Sequence, residues 1–137
     1  MTDRKKVTIQ ATEWDLLEAL WARERGTARD VTEALADKRG WAVSTVKTLL
    51  DRMVQKGLVG ARQVGNVWEY TPAVKPVEAR RSAWTDMVDR AFGGAVAPAL
   101  NFLARDAKLS KKELAGLRAL LDAQEKASAK KEGHGDE

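Results

Sequence analysis

The chain has no cysteine among its 137 residues, which excludes disulfides and thiolate metal sites and leaves nothing that requires an oxidising compartment. Histidine is nearly absent too. The single one, His134, stands in a polar C-terminal stretch, so a nucleophile such as Ser44 or Ser110 has no structured imidazole to serve as its base. There is no glycine-rich phosphate loop and no metal-spaced cluster, and Glu13, Asp15 and Glu18 read as solvated charge on a helix whose other face is core. The expectation is a protein that is not an enzyme and uses no metal or cofactor. No apolar run reaches the roughly 18 residues that a membrane span needs, and the opening MTDRKKVTIQ lacks the apolar core of a signal peptide. These absences predict a soluble, cytoplasmic chain with no membrane insertion.

What the chain does have is concentrated between Trp41 and Tyr70, WAVSTVKTLLDRMVQKGLVGARQVGNVWEY. At about 100° per residue, Val46, Leu49, Leu50, Met53 and Val54 gather on one side of a helix, and Ser44, Thr45, Lys47, Thr48, Asp51, Arg52 and Gln55 share the other. One side is suited to packing. The other carries hydroxyls, an amide and two cations against one acid, a set that fits phosphate oxygens and base edges. Gly57 ends the helix as a C-terminal cap. Weak alternation in LVGARQV, a Gly65-Asn66 turn and the returning VWEYT predict a β-hairpin. Arg62, Gln63 and Asn66 lie near its tip, where they could touch a phosphate backbone. The whole chain holds 24 basic and 20 acidic residues, and much of the excess falls here, where Lys47, Arg52, Lys56 and Arg62 face Asp51 alone.

Two shorter helices precede this unit. Thr12 with Asp15 forms a capping-box pair for the first, with Trp14, Leu17, Leu20 and Trp21 on its inner stripe. Thr27 with Asp30 opens the second, Ala28 to about Lys38, with Val31, Ala34 and Leu35 turned inward. Helix, helix, helix, hairpin is the order of a winged helix-turn-helix, so the fold class is mainly α with a small β-hairpin wing. Proline is scarce, at three residues, and its placement helps: Pro72 and Pro76 close the hairpin and set a domain boundary near Ala73, leaving a winged head over residues 1–72.

Helical spacing resumes in Val77, Trp84, Val88 and Ala91 up to Gly93-Gly94, and again from Val96 to Arg105, where Pro98 fits the first turn. A last helix opens on the Ser110–Glu113 capping box. This helical region, 73–126, is followed by KASAKKEGHGDE, which predicts a disordered tail over 127–137. Three helices in about fifty residues can hardly bury their own apolar stripes. A second copy would cover Trp84, Val88, Leu100, Leu114, Leu117 and Leu121, making the protein a homodimer. The five tryptophans, Trp14, Trp21, Trp41, Trp68 and Trp84, fall on apolar faces or element edges and read as packing residues rather than stacking platforms. The basic run at residues 3–6 reads as a solvated arm. Residue patterns alone leave open a winged helix that binds DNA nonspecifically or serves as a protein-interaction module.

Taken together, TEWDLLEALW, STVKTLLDRMVQKGLV, WEYTP, FGG and LNFLARDAKLSKKELAGLRALL make Ile9 to Gln124 resemble the penicillinase-repressor family of bacterial transcriptional repressors. The resemblance implies a homodimer with a winged helix-turn-helix at each N-terminus and an intertwined helical dimerisation region, bound to a palindromic operator in double-stranded DNA. It implies DNA contacts at Ser44, Thr45, Lys47, Thr48 and Arg52. Family members often carry a basic residue in place of Ser44 and an arginine in place of Lys47, so base preference differs there. The copper-responsive branch binds metal through a C-terminal cysteine cluster that this chain lacks. In the β-lactam branch a membrane sensor metalloprotease cuts an Asn-Phe bond in the dimerisation region, and Asn101-Phe102 is the matching bond here.

Overall fold

The computed structural model describes residues 8–135, so the arm at 3–6 lies outside the described residues. In chain order the elements are α1 (Ala11–Arg23), β1 (Gly26–Thr27), α2 (Ala28–Ala34), α3 (Val43–Lys56), β2 (Val59–Val64), β3 (Val67–Pro72), α4 (Pro76–Phe92), α5 (Val96–Asp106) and α6 (Lys111–Gly135). Helix, helix, helix, wing is the order the sequence predicts. The sheet adds one strand to it: β1 pairs antiparallel with β3, Gly26 opposite Tyr70 and Thr27 opposite Glu69, so the order is β1-β3-β2. Two residues are too few for alternation to reveal a strand.

The core lies under α3. Val46, Leu50 and Met53 are buried against Leu16, Leu17 and Leu20 of α1, Val31 and Leu35 from α2 and its C-cap, and Leu58, Val59 and Tyr70 of the sheet region, while Leu49 and Val54 pack at its edge. Ala34, expected to face inward, is exposed, because α2 stops there and Leu35 becomes its cap. Gly57 ends α3 in the left-handed region at φ 84°, where any side chain would be strained. Its neighbour Leu58 donates back to the Met53 carbonyl at 2.9 Å. In the hairpin, Val64 pairs with Val67 across a two-residue turn, and Gly65 supplies the positive φ that the turn needs.

Two of the three acids of α1, Glu13 and Asp15, are buried tethers rather than solvated charge, whereas Glu18 is exposed as expected. The helix caps on Gln10, whose N–H donates to Glu13 at 2.9 Å, earlier than the Thr12–Asp15 pair suggests. Glu13, only 6% exposed, also receives the Lys56 ammonium at 2.7 and 2.8 Å. That pair ties the start of α1 to the end of α3. Asp15, 7% exposed, takes Lys38 at 2.8 Å and Arg39 at 2.6 Å, which draws the chain out of α2 and toward Trp41. Hydrogen bonds from Lys38 and Arg39 hold the Asp15 carboxyl below its ordinary value, and the Thr27 backbone N–H does the same for Asp30. A depressed carboxylate stabilises the fold above its unfolded pKa and loses that contribution as pH falls through the folded value. Thermal melts should therefore be flat above about pH 5 and decline below it, with a shallower decline in Asp15→Asn.

The chain divides into two compact units after Gly94, not near Ala73. In the first, α4 stays with the head. The Trp21 indole N–H donates to the Val74 carbonyl at 2.9 Å, Arg80 meets Glu18 at 3.3 Å and Arg90 meets the Thr8 hydroxyl at 3.3 Å. Such bonds join residues far apart in sequence and leave no local signal. The second unit pairs α5 with α6. Ser110 and Glu113 form the expected reciprocal capping box, at 2.9 and 3.1 Å. Helix α6 continues through the stretch expected to be a disordered tail, as far as Gly135, with 136–137 outside the described residues. Alanine, lysine and glutamate extend a nucleated helix at little cost even without a face to bury.

Candidate nucleic-acid interface

Ser44, Thr45, Lys47, Thr48, Asp51, Arg52 and Gln55 are all exposed on α3, opposite the buried side. The site therefore begins with a solvent-facing row that the core holds in place. Its polar groups are not equally available. The Thr48 hydroxyl donates to the Ser44 carbonyl at 3.0 Å, keeping its lone pairs as acceptors. Lys47 reaches the Asp51 carboxylate at 3.1 Å and the Tyr70 hydroxyl at 3.2 Å, and that hydroxyl donates to the other Asp51 oxygen at 2.7 Å. The Tyr70 hydroxyl, and after it Asp51, push the Lys47 ammonium above its usual pKa. Arg62 pairs with Glu69 across the wing at 3.1 Å, and Gln63 and Asn66 are exposed near the wing tip.

Lys56, counted with the reading head by sequence position, is spent on Glu13. Of the four cations between Trp41 and Trp68, three are thus matched by an acid. Among the described residues of that segment, Arg52 alone keeps its charge unmatched. A second cation joins it from outside. Arg29, at the start of α2, lines a concavity of about 320 Å³ with Val43, Lys47, Asn66, Trp68 and Tyr70. Sequence reasoning passed over Arg29 because only the β1–β3 pairing carries the start of α2 alongside the wing. It also took Trp68 as a packing residue, yet Trp68 is 44% exposed. Two residues from Tyr70 on β3, it shares that strand face but extends past the core into the concavity. Trp84 is exposed as well, whereas Trp14, Trp21 and Trp41 are half-buried. Trp14 and Trp21 meet edge to face at 6.0 Å.

The residues expected to form a dimer face separate into two groups. Leu100, Leu114, Leu117 and Leu121 come together between α5 and α6 around an apolar groove of about 320 Å³, with Leu117 half-buried and the other three exposed. Trp84 and Val88 lie on α4, in the other unit. Val88 is only 3% exposed, so a single chain already buries it and it has no surface to offer a second copy. Asn101 and Phe102 are exposed in the middle of α5. Among the described residues no cluster of three or more His, Cys, Asp or Glu could hold a metal, and no helix is long and apolar enough to cross a membrane.

This geometry defines a winged-helix protein whose α3 presents a polar, exposed face beside its wing. The chain belongs to the penicillinase repressor family, whose model matches residues 9–123, and so falls in a class of DNA-binding transcriptional repressors. It is 30% identical over 115 residues to an uncharacterised 16.5 kDa protein of Latilactobacillus sakei, covering 84% of this chain and 79% of that one. It is 24% identical over 121 residues to the methicillin resistance regulatory protein MecI of Mammaliicoccus sciuri, covering 88% and 98%. The solution structure of the DNA-binding domain of the repressor BlaI matches 56% of this chain and 93% of its own, at 24% identity and a TM-score of 0.48.

Proposed function

We propose that the protein is a homodimeric repressor that binds a palindromic operator in the cytoplasm, each α3 entering one of two successive major grooves. The exposed row from Ser44 to Arg52 carries this reading. It combines hydroxyl acceptors with an unmatched guanidinium on a helix whose other side is locked into the core. Arg62, Gln63 and Asn66 serve as wing contacts to the backbone, with Arg62 exchanging Glu69 for a phosphate. The apolar groove between α5 and α6, together with Leu100, Leu114 and Leu121 on the surface, supports pairing through a second copy, since exposed apolar side chains this numerous are otherwise a liability.

In the same reading a membrane sensor metalloprotease cuts Asn101-Phe102 to release the operator. Both residues sit within α5, so the helix must open locally before the bond can enter a protease cleft. Severing it would detach α6 from the head and dissolve the dimer.

Arg52→Ala tests the DNA-reading step. Footprinting with the full chain should show a protected palindrome, and the variant should bind it at least about fivefold more weakly, in line with roughly 1–3 kcal/mol for one arginine contact. Melting temperature and dimer mass should not change. Undiminished binding by Arg52→Ala, or no protected sequence in the native genome, would reject this assignment.

A further inference from the structure

We propose that Asp51, oriented by Tyr70, reads a base edge together with Lys47, and that this pair selects a G·C base pair at one position in each half-site. The inference rests on the operator-binding reading above and adds a specificity element to it. Its basis is the closed set of contacts among three side chains: Lys47 to Asp51 at 3.1 Å, Lys47 to Tyr70 at 3.2 Å and Tyr70 to Asp51 at 2.7 Å.

A lysine and an aspartate one helical turn apart are ordinarily a surface ion pair contributing about 0.2–0.5 kcal/mol. The tyrosine changes that. Tyr70 rises from β3, is 1% exposed, and fixes one carboxylate oxygen from the core side, so the Asp51 side chain does not rotate freely. Its second oxygen takes the Lys47 ammonium, and the two side chains stay about half exposed, at 51% for Asp51 and 47% for Lys47. An acid on a surface meant for phosphates costs affinity through like-charge repulsion, unless it earns selectivity at a base.

The array left open to solvent is one acceptor beside one donor. The major-groove edge of G·C offers the matching set, with the acceptors O6 and N7 of guanine beside the N4 amino donor of cytosine. Lysine suits the first and a carboxylate the second. At A·T the adenine amino group displaces the paired acceptors that lysine prefers, and the thymine methyl intrudes. Burial pushes the Asp51 carboxyl up, but the Tyr70 hydroxyl and Lys47 outweigh it and hold it below the ordinary carboxylate value. At neutral pH it therefore acts only as an acceptor. Tyr70 touches no DNA in this scheme and acts as a positioning residue.

Binding-site selection from a randomised duplex library, using the full chain, Asp51→Asn and Tyr70→Phe, tests the scheme. The wild type should enrich a palindrome with a G·C pair at one symmetric position. Asp51→Asn should move the preference there toward A·T, because an amide pairs with adenine, with a swing of about tenfold in relative affinity. Tyr70→Phe should flatten the preference at that position and leave the rest of the motif intact. Thermal melts confirm that both variants fold at the binding temperature. If both variants enrich the wild-type motif unchanged, or lose affinity equally for every sequence, the inference is overturned and the repressor reading stands. If the wild type enriches no motif, both are overturned.

Discussion

Leu117→Asp is expected to abolish the dimer and, with it, tight operator binding, while leaving the winged head folded. Leu117 sits half-buried between α5 and α6, beside Leu100, Leu114 and Leu121 in the apolar groove. An aspartate there has no cation among the lining residues to pair with, and a second copy covering the groove would bury it unpaired, at a cost of several kcal/mol. In the proposed dimer the substitution is made twice, once in each chain. The effect on DNA is larger than on either interface half, because two linked heads gain avidity of about 10²- to 10⁴-fold over one. Sedimentation should report a monomer, and titration of the full palindrome should fall to the affinity of a single half-site. Circular dichroism separates loss of association from collapse of the second unit. A Leu117→Asp chain that stays dimeric, or a monomer that keeps wild-type operator affinity, defeats the bivalent mechanism.

The parts of this architecture that repeat in sequence were legible in it. Helix α3 reads directly, since its buried and exposed residues alternate at the helical period and Gly57 marks its end. The hairpin reads from Gly65-Asn66, and two starts read from Thr27–Asp30 and Ser110–Glu113, because a capping box is a contact between residues three apart. What the pattern did not show depends on contacts over long separations. Nothing near Glu13 in sequence names Lys56 as its partner, and nothing near Lys38 names Asp15. Charge counted along the chain therefore overstated the free positive charge of the reading head. The same limit hid the attachment of α4 through Trp21 and Val74, and it moved the boundary from Ala73 to Gly94. At the site, periodicity identified the row from Ser44 to Gln55 and counted Asp51 in it only as the one acid set against two cations. Only the fold brings Tyr70, nineteen positions away, beneath it.

Leu50→Ala should lower the stability of the head by about 2–5 kcal/mol, the cost of removing a fully buried leucine and leaving a cavity. Leu50 is completely buried at the centre of α3, where the underside of the recognition helix meets α1 and the sheet region. Few neighbours can fill the space: α1 is fixed at its start by Glu13–Lys56, and Tyr70 is held by its bond to Asp51. In a domain of this size each kcal/mol moves the melting temperature by roughly 4–8 °C, so a drop of about 8 °C or more is expected. The consequence for DNA differs in kind from that of Arg52→Ala. At low temperature, where the head is still folded, the exposed row is chemically intact and operator affinity should be close to wild type. Near the lowered melting temperature it should collapse, since only the folded head binds and the competent fraction scales the apparent affinity. Arg52→Ala should show the opposite pattern, with a constant loss of affinity at every temperature and an unchanged melt. If Leu50→Ala weakened binding equally at low and high temperature, the two faces of α3 would not be separable into one that packs and one that reads, and the division on which the interface is built would be wrong.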